Sequence, residues 1–140
     1  MLRTEPGTMP TVETLPIRSE EDIVRARQTV RSYAVQAGMS LVDQTKLVTA
    51  ASELARNALV YGGGGFMQAQ LLEKGARKGV ELVLEDKGPG IADIEEAMRD
   101  GFTSGGGLGL GLGGARRLVN EFDIVTEVGK GTRIRAVRWR

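Results

Sequence analysis

Glu53 and Asn57 stand four residues apart in a stretch of helical periodicity, Glu53-Leu54-Ala55-Arg56-Asn57, so both project from one helix face. An amide oxygen suits Mg²⁺, a hard cation that keeps most of its coordination for water and phosphate. A carboxylate one turn earlier can take a proton from an attacking hydroxyl or water. A plain solvated polar face would carry the same pair, and the pair alone does not separate the two readings. Three more short motifs follow. Asp86-Lys87-Gly88-Pro89-Gly90 ends a strand-like run, Gly105 to Gly111 (GGGLGLG) opens a helix, and Gly129-Lys130-Gly131-Thr132 lies between two final strands.

A carboxylate at Asp86 can accept a hydrogen bond from an exocyclic amine such as that of adenine, and Gly88 and Gly90 would let a flat base approach the backbone. Asp, Gly and Pro are also ordinary turn residues. The glycines from Gly105 to Gly114 expose backbone N–H groups at the start of a helix, a combination that binds phosphate; a flexible loop is the alternative. Gly109 to Gly114 formally matches the dinucleotide GxGxxG pattern. That site needs a strand just before it, and Phe102-Thr103-Ser104-Gly105-Gly106 reads as a loop. No Gly-Lys-Ser/Thr follows the glycines, so no Walker-type loop exists either. In order, the motifs supply an acid, a metal-ligating amide, a base-reading carboxylate and a phosphate cradle, which is the inventory of an ATP site.

The elements that must position these groups are legible in outline. Thr11 to Ile17 reads as an edge strand weakened by Pro16. A helix starts at Ser19, with Asp22 completing a capping-box-like pattern, and carries Ile23, Ala26, Val30, Tyr33, Ala34 and Ala37 to a stop at Gly38. Ser40 with Asp43 repeats the signature, and the second helix runs to about Tyr61, burying Leu47, Ala51, Leu54 and Ala58. Gly62 to Gly65 stop it. Phe66 to Glu73 reads as a strand, Lys74 to Gly79 as a turn, and Val80 to Asp86 as a central strand with Val80, Leu82 and Leu84 on one face. A short helix is expected within Asp93 to Arg99 and another over Gly113 to Glu121. Phe122 to Val128 and Thr132 to Trp139 form a hairpin. The sum is an α/β two-layer sandwich, a mixed, mostly antiparallel sheet with helices on one face.

With 140 residues, 41% of them apolar, one domain over 11–140 is expected, after a flexible N-terminus at 1–10 carrying Pro6, Gly7 and Pro10. The net charge of +1 argues neither for nor against a nucleic-acid partner, and no apolar run approaches a membrane span. Neither nucleic acid nor membrane is an expected partner, and a cytoplasmic location is expected. The chain has no cysteine and no histidine. Thiol and imidazole chemistry are thereby excluded, and acid–base work falls to carboxylates, Lys, Tyr or water. Arg133, Arg135, Arg138 and Arg140 make the last strand basic, either to meet an acidic partner or to protect a sheet edge by charge. Arg116 and Arg117, on the helix after the glycines, face either phosphate or solvent.

From Leu47 to Thr132, the four motifs in this order resemble the asparagine box and the three glycine boxes of the GHKL ATPase/kinase superfamily, whose ATP site is the Bergerat fold. A closer likeness covers nearly the whole chain. Glu21 to Gln28 (EDIVRARQ), Val42 to Asn57 (VDQTKLVTAASELARN), Glu85 to Ile91 (EDKGPGI), Asp100 to Leu112 (DGFTSGGGLGLGL) and Arg117 to Phe122 (RLVNEF) are similar to the RsbT-type serine/threonine switch kinases of bacterial stress signalling.

The resemblance implies that Asn57 ligates Mg²⁺ beside the phosphates and that Glu53 is the general base or orients the attacking hydroxyl. It implies that Asp86 reads the adenine amine with clearance from Gly88 and Gly90, and that Thr132 completes the adenine end. Gly105, Gly107, Gly109 and Gly111 would wrap the phosphates, and Phe102, Thr103 and Ser104 would belong to the lid. Histidine kinases need a phosphoacceptor His, which this chain lacks. Gyrase-, Hsp90- and MutL-like ATPases need a second domain supplying a lysine to the γ-phosphate, for which 140 residues are not expected to leave room. A free-standing ATP- and Mg²⁺-dependent kinase acting on a STAS-domain antagonist or scaffold is therefore the expectation, with a PP2C-type phosphatase as the later partner. A nucleotide-gated adaptor or a true anti-sigma factor is the alternative. Roughly fifteen residues between Ile91 and the glycines make a short lid, which would leave the γ-phosphate open to a docking protein.

Overall fold

The computed structural model describes residues 12–99 and 111–140. The expectations for the first ten residues and for the glycine run before Gly111 lie outside them. The element order is β1 (Val12–Ile17), α1 (Glu20–Gln36), α2 (Leu41–Val60), β2 (Gly65–Lys74), β3 (Arg77–Asp86), α3 (Ile94–Ala97), α4 (Gly111–Arg117), β4 (Glu121–Glu127) and β5 (Gly131–Trp139). The strands form one sheet in the order β1-β2-β3-β5-β4. All four pairings are antiparallel, so the expected mostly antiparallel sheet is wholly so among the described residues. No helix among these residues is long and apolar enough to cross a membrane.

The period of two puts Leu15 and Ile17, Met67 and Ala69, Val80, Leu82 and Leu84, and Ile134 and Ala136 on the buried face. There they meet the apolar stripe of α1 (Ile23, Ala26, Val30, Tyr33, Ala34) and the buried face of α2. Both helices are capped as expected. Ser19 Oγ accepts from the Asp22 N–H at 3.2 Å, and Ser40 Oγ accepts from the Asp43 N–H at 3.2 Å. The α2 face is wider than the stripe read from sequence, because Val48, Ala50 and Ala55 are buried as well. This helix packs against α1 and the sheet and also against α4. Its alanines allow the close approach on several sides, and the site residues therefore ride on a well-fixed helix.

Three departures from expectation have clear causes. β3 begins at Arg77 rather than Val80, with Lys74 paired to Arg77 around a two-residue turn. Gly79 is no turn residue: it lies opposite Trp139, and a Cβ there would sit 2.7 Å from the indole ring, over which Arg77 also stacks at 4.7 Å. The last helix ends at Arg117, well before Glu121. Asn120 instead joins the sheet end, accepting the Trp139 N–H through Oδ1 at 2.6 Å and donating its own N–H to Val137 at 2.8 Å.

The third departure concerns the arginine-rich strand. β5 lies between β3 and β4, so edge protection does not explain its charge. Arg135 instead binds Glu81 at 2.7 Å, Glu121 at 3.2 Å and Asp123 at 3.3 Å on the outer face of the sheet. Arg138 reaches through the helix layer to Asp43 at 2.6 Å and to the Leu118 carbonyl at 2.9 Å. The guanidinium beside Asp43 holds its carboxyl below the usual carboxylate range. Two of the four arginines are thus internal cross-links, Arg135 between strands on the outer face and Arg138 between the sheet and α2.

Candidate active site

α2 delivers Asn57 and Glu53 from its C-terminal half, the end of β3 delivers Asp86, and the start of β5 places Thr132 directly opposite Asp86 in the ladder. A cavity of about 290 Å³ opens between these elements and α3, at the small end of the range for ligand pockets. Of the residues singled out in the sequence, Asn57, Asp86, Gly90, Gly111 and Thr132 line it. Glu53 stands just outside the lining, and its Oε2 accepts the N–H of Gly111 at 3.2 Å, tying α2 to the start of α4. Thr103, Ser104, Gly105, Gly107 and Gly109 lie outside the described residues.

Of the carboxylates that line the cavity, Asp86 is the buried one. Only 8% of the residue is exposed, and Oδ1 accepts the Gly88 N–H at 2.9 Å. Burial pushes its pKa above the ordinary carboxylate value, and the neighbouring Glu85 charge adds to the rise. The Gly88 and Thr132 backbone N–H groups partly offset this by stabilising the anion. The surrounding walls are largely apolar, with Ile91, Ala97 and Leu112 among them. A flat heteroaromatic ring carrying an exocyclic amine fits such a slot, with an amide at hand on the side of α2 for a hydrated cation and its phosphates. The donor set therefore suits a purine nucleotide and Mg²⁺.

The glycines serve a purpose that their spacing does not reveal. Gly88 does not line the cavity; a Cβ on it would lie 2.6 Å from the Cα of Gly62. A Cβ on Gly90, whose φ is +77°, would run into the Glu127 carbonyl. Both give clearance to neighbouring backbone, and Gly90 also lines the cavity. Gly62, read from sequence only as a helix stop, lines the cavity, and a Cβ on it would overlap the Asp86 carboxyl carbon and lie 2.6 Å from the Ala58 carbonyl. Tyr61, Asp93 and Glu96 also line the cavity and carried no signal of their own.

Gly62→Ala is therefore expected to push the Asp86 carboxylate from its place. The expected outcome is at least a tenfold loss of ADP affinity and a stability loss of about 1–3 kcal/mol from overpacking. Gly63, next in the chain, has φ +72° and open space around its Cβ position. Gly63→Ala should cost only the left-handed strain of roughly 1 kcal/mol and leave ADP binding unchanged. Titration with ADP and urea melts of the two variants check the contrast, and equal ADP affinity in both would remove Gly62 from the site.

Residues 42–139 match the family described as histidine kinase-, DNA gyrase B- and HSP90-like ATPase. The chain is 46% identical over 123 residues to the serine/threonine-protein kinase RsbT of Bacillus subtilis (strain 168), covering 88% of this chain and 92% of that protein. It is 32% identical over 117 residues to an anti-sigma F factor of Geobacillus sp. (strain WCH70), covering 78% of each. The mycobacterial sensor histidine kinase MprB superposes with a TM-score of 0.53 at 21% identity, covering 91% of this chain and 96% of that one, a likeness that bears on fold alone. With Asn57, Asp86 and Thr132 around one cavity, and with matches that span the helices and strands carrying them, the chain belongs to the histidine kinase-, DNA gyrase B- and HSP90-like ATPase family and stands within it beside the RsbT serine/threonine-protein kinase.

Proposed function

We propose that this protein is a single-domain, cytoplasmic kinase that transfers the γ-phosphoryl group of ATP to a serine or threonine hydroxyl of a STAS-domain antagonist or scaffold protein. The setting is a bacterial stress-response partner switch, in which the kinase leaves the phosphorylated scaffold and activates a PP2C-type phosphatase. The observation that carries the reading is the convergence of Asn57, Asp86 and Thr132 on one cavity in a chain 46% identical to a serine/threonine-protein kinase.

The residues divide the work along the cavity. Asp86 and Thr132 hold the base, and Gly111 with the glycines before it meets the phosphates. Asn57 offers its amide oxygen to Mg²⁺, which when bound neutralises phosphate charge. Glu53 takes the proton of the acceptor hydroxyl, or orients that hydroxyl, as its oxygen forms a bond to γ-phosphorus. The bond from γ-phosphorus to the bridging oxygen breaks, and ADP leaves with the electron pair. The protein's share of catalysis is positioning and charge neutralisation.

The anti-sigma F factors among the relatives favour a second reading, a nucleotide-gated anti-sigma factor or adaptor that acts by occupying its partner. Incubation with γ-labelled ATP, Mg²⁺ and STAS-domain proteins separates the two. Label on a STAS serine or threonine supports the kinase. Tight ADP binding with no transfer, together with recovery of a sigma subunit in a pull-down, supports the adaptor and sinks the kinase reading.

A further inference from the structure

Thr126, on β4, lies across the ladder from Thr132 and belongs to none of the motifs that mark the site. Its hydroxyl has three neighbours. Thr126 Oγ1 accepts the Ile91 N–H at 2.9 Å, lies 3.1 Å from the Gly131 carbonyl oxygen, and lies 2.8 Å from Thr132 Oγ1. A threonine hydroxyl has one hydrogen to give and two lone pairs to receive. The Ile91 N–H can only donate and the Gly131 carbonyl can only accept. The single Thr126 hydrogen therefore goes to Gly131, and the remaining lone pair must receive the Thr132 hydrogen. Only this assignment satisfies all three contacts at once.

The consequence reaches the cavity. Thr132 is 6% exposed and lines the cavity beside Asp86. With its hydrogen committed to Thr126, its oxygen presents only lone pairs inward. The carboxylate of Asp86 also presents only lone pairs. The base end of the cavity is then an all-acceptor surface, complementary to an amine with two hydrogens and hostile to a carbonyl oxygen at the same place.

We propose that Thr126 is a specificity-determining positioning residue: by fixing the direction of the Thr132 hydroxyl, it makes the site select 6-amino purine nucleotides over 6-oxo purine nucleotides. The proposal rests on the nucleotide reading given above and goes beyond it, since it assigns base selectivity to a residue that does not line the cavity. It also gives the pair a division of labour. Thr132 makes the contact, and Thr126 decides whether that contact accepts or donates.

The test compares ADP with inosine diphosphate, which differs at the 6-position and at the neighbouring ring nitrogen, by calorimetric titration. Thr126→Val keeps the shape and strand preference of threonine and removes the hydroxyl, so Thr132 is free to turn its hydrogen into the cavity. The ratio of ADP to inosine diphosphate affinity is expected to fall about tenfold, the worth of one hydrogen bond changing sense. Thr126→Ser restores the hydroxyl and is expected to retain the wild-type ratio. An unchanged ratio in Thr126→Val, or an equal loss for both nucleotides, overturns the proposal, since a merely structural role would weaken both alike. If the wild-type protein binds neither nucleotide, the underlying nucleotide reading fails first and the proposal falls with it.

Discussion

Asn57→Ala is expected to lower phosphoryl transfer to the acceptor protein at least about 100-fold while leaving magnesium-free ADP binding within about threefold. The split follows from where the residue sits. Asn57 lines the cavity from α2, whereas Asp86 and Thr132, proposed to hold the base, come from β3 and β5. On the proposed division of labour, loss of the amide removes the group offered to the cation and phosphates without touching Asp86 or Thr132. The fold should survive. The backbone carbonyl of Asn57, which accepts from Tyr61 at 3.0 Å and from Gly62 at 3.3 Å, is unchanged by the substitution. Alanine is moreover the better helix former. Single-turnover transfer from labelled ATP gives the rate, and ADP titration in chelator gives the binding. Transfer at the wild-type rate would show that Asn57 is not the cation ligand, and an equal loss of both would make it a general support of the cavity.

The layers were legible in the sequence wherever a period repeats. Ile23, Ala26, Val30 and Tyr33 mark the buried face of α1, and Val80, Leu82 and Leu84 mark the helix-facing side of β3, because burial on one side forces a spacing that can be read directly. That Asn57, Asp86 and Thr132 meet at one cavity could be anticipated because their motifs are unusual in order and type. The glycines were not. Gly62, Gly79 and Gly88 each stand where another group comes too close for a Cβ, and nothing local separates such a glycine from one that makes a turn. Strand order was also hidden. The arginines of β5 looked like edge charges until the chain placed that strand between two others, since pairing is decided by contacts far apart in sequence. Thr126 had no local signal at all. Its significance comes from Thr132, Gly131 and Ile91 meeting at one oxygen.

Asp86→Asn is expected to reduce ADP affinity at least about 100-fold and yet leave the nucleotide-free protein as stable as wild type or more so. Folding raises the pKa of this carboxyl, with burial as the leading cause. A carboxyl whose folded pKa is raised binds its proton more tightly in the native state than in the unfolded chain. Its contribution to stability is therefore most favourable at low pH. It falls as pH rises from about 3.9, the ordinary aspartate value, through the folded value, and at neutral pH the ionised group carries a constant penalty. Asparagine has the same shape without the charge and removes both the penalty and that part of the pH slope. Its Oδ1 can keep the Gly88 N–H, which now bonds Asp86 at 2.9 Å, while the weaker acceptor gives up part of what the Gly88 and Thr132 N–H groups contribute, set against the relieved burial of the charge. Its amide nitrogen then turns two hydrogens toward the ligand, where an amine would bring its own. Donor facing donor costs the lost bond and leaves buried groups unpaired, about 1–3 kcal/mol for each, which is the origin of the 100-fold figure. Urea melts across the acid range and ADP titrations at neutral pH measure the two halves. A variant that binds ADP normally would show that Asp86 does not read the base. One that binds poorly and also unfolds early would make Asp86 a structural group, and its elevated pKa would then have no bearing on recognition. Stability retained while affinity is lost is the result that identifies a carboxylate kept, at a cost to the fold, for its ligand.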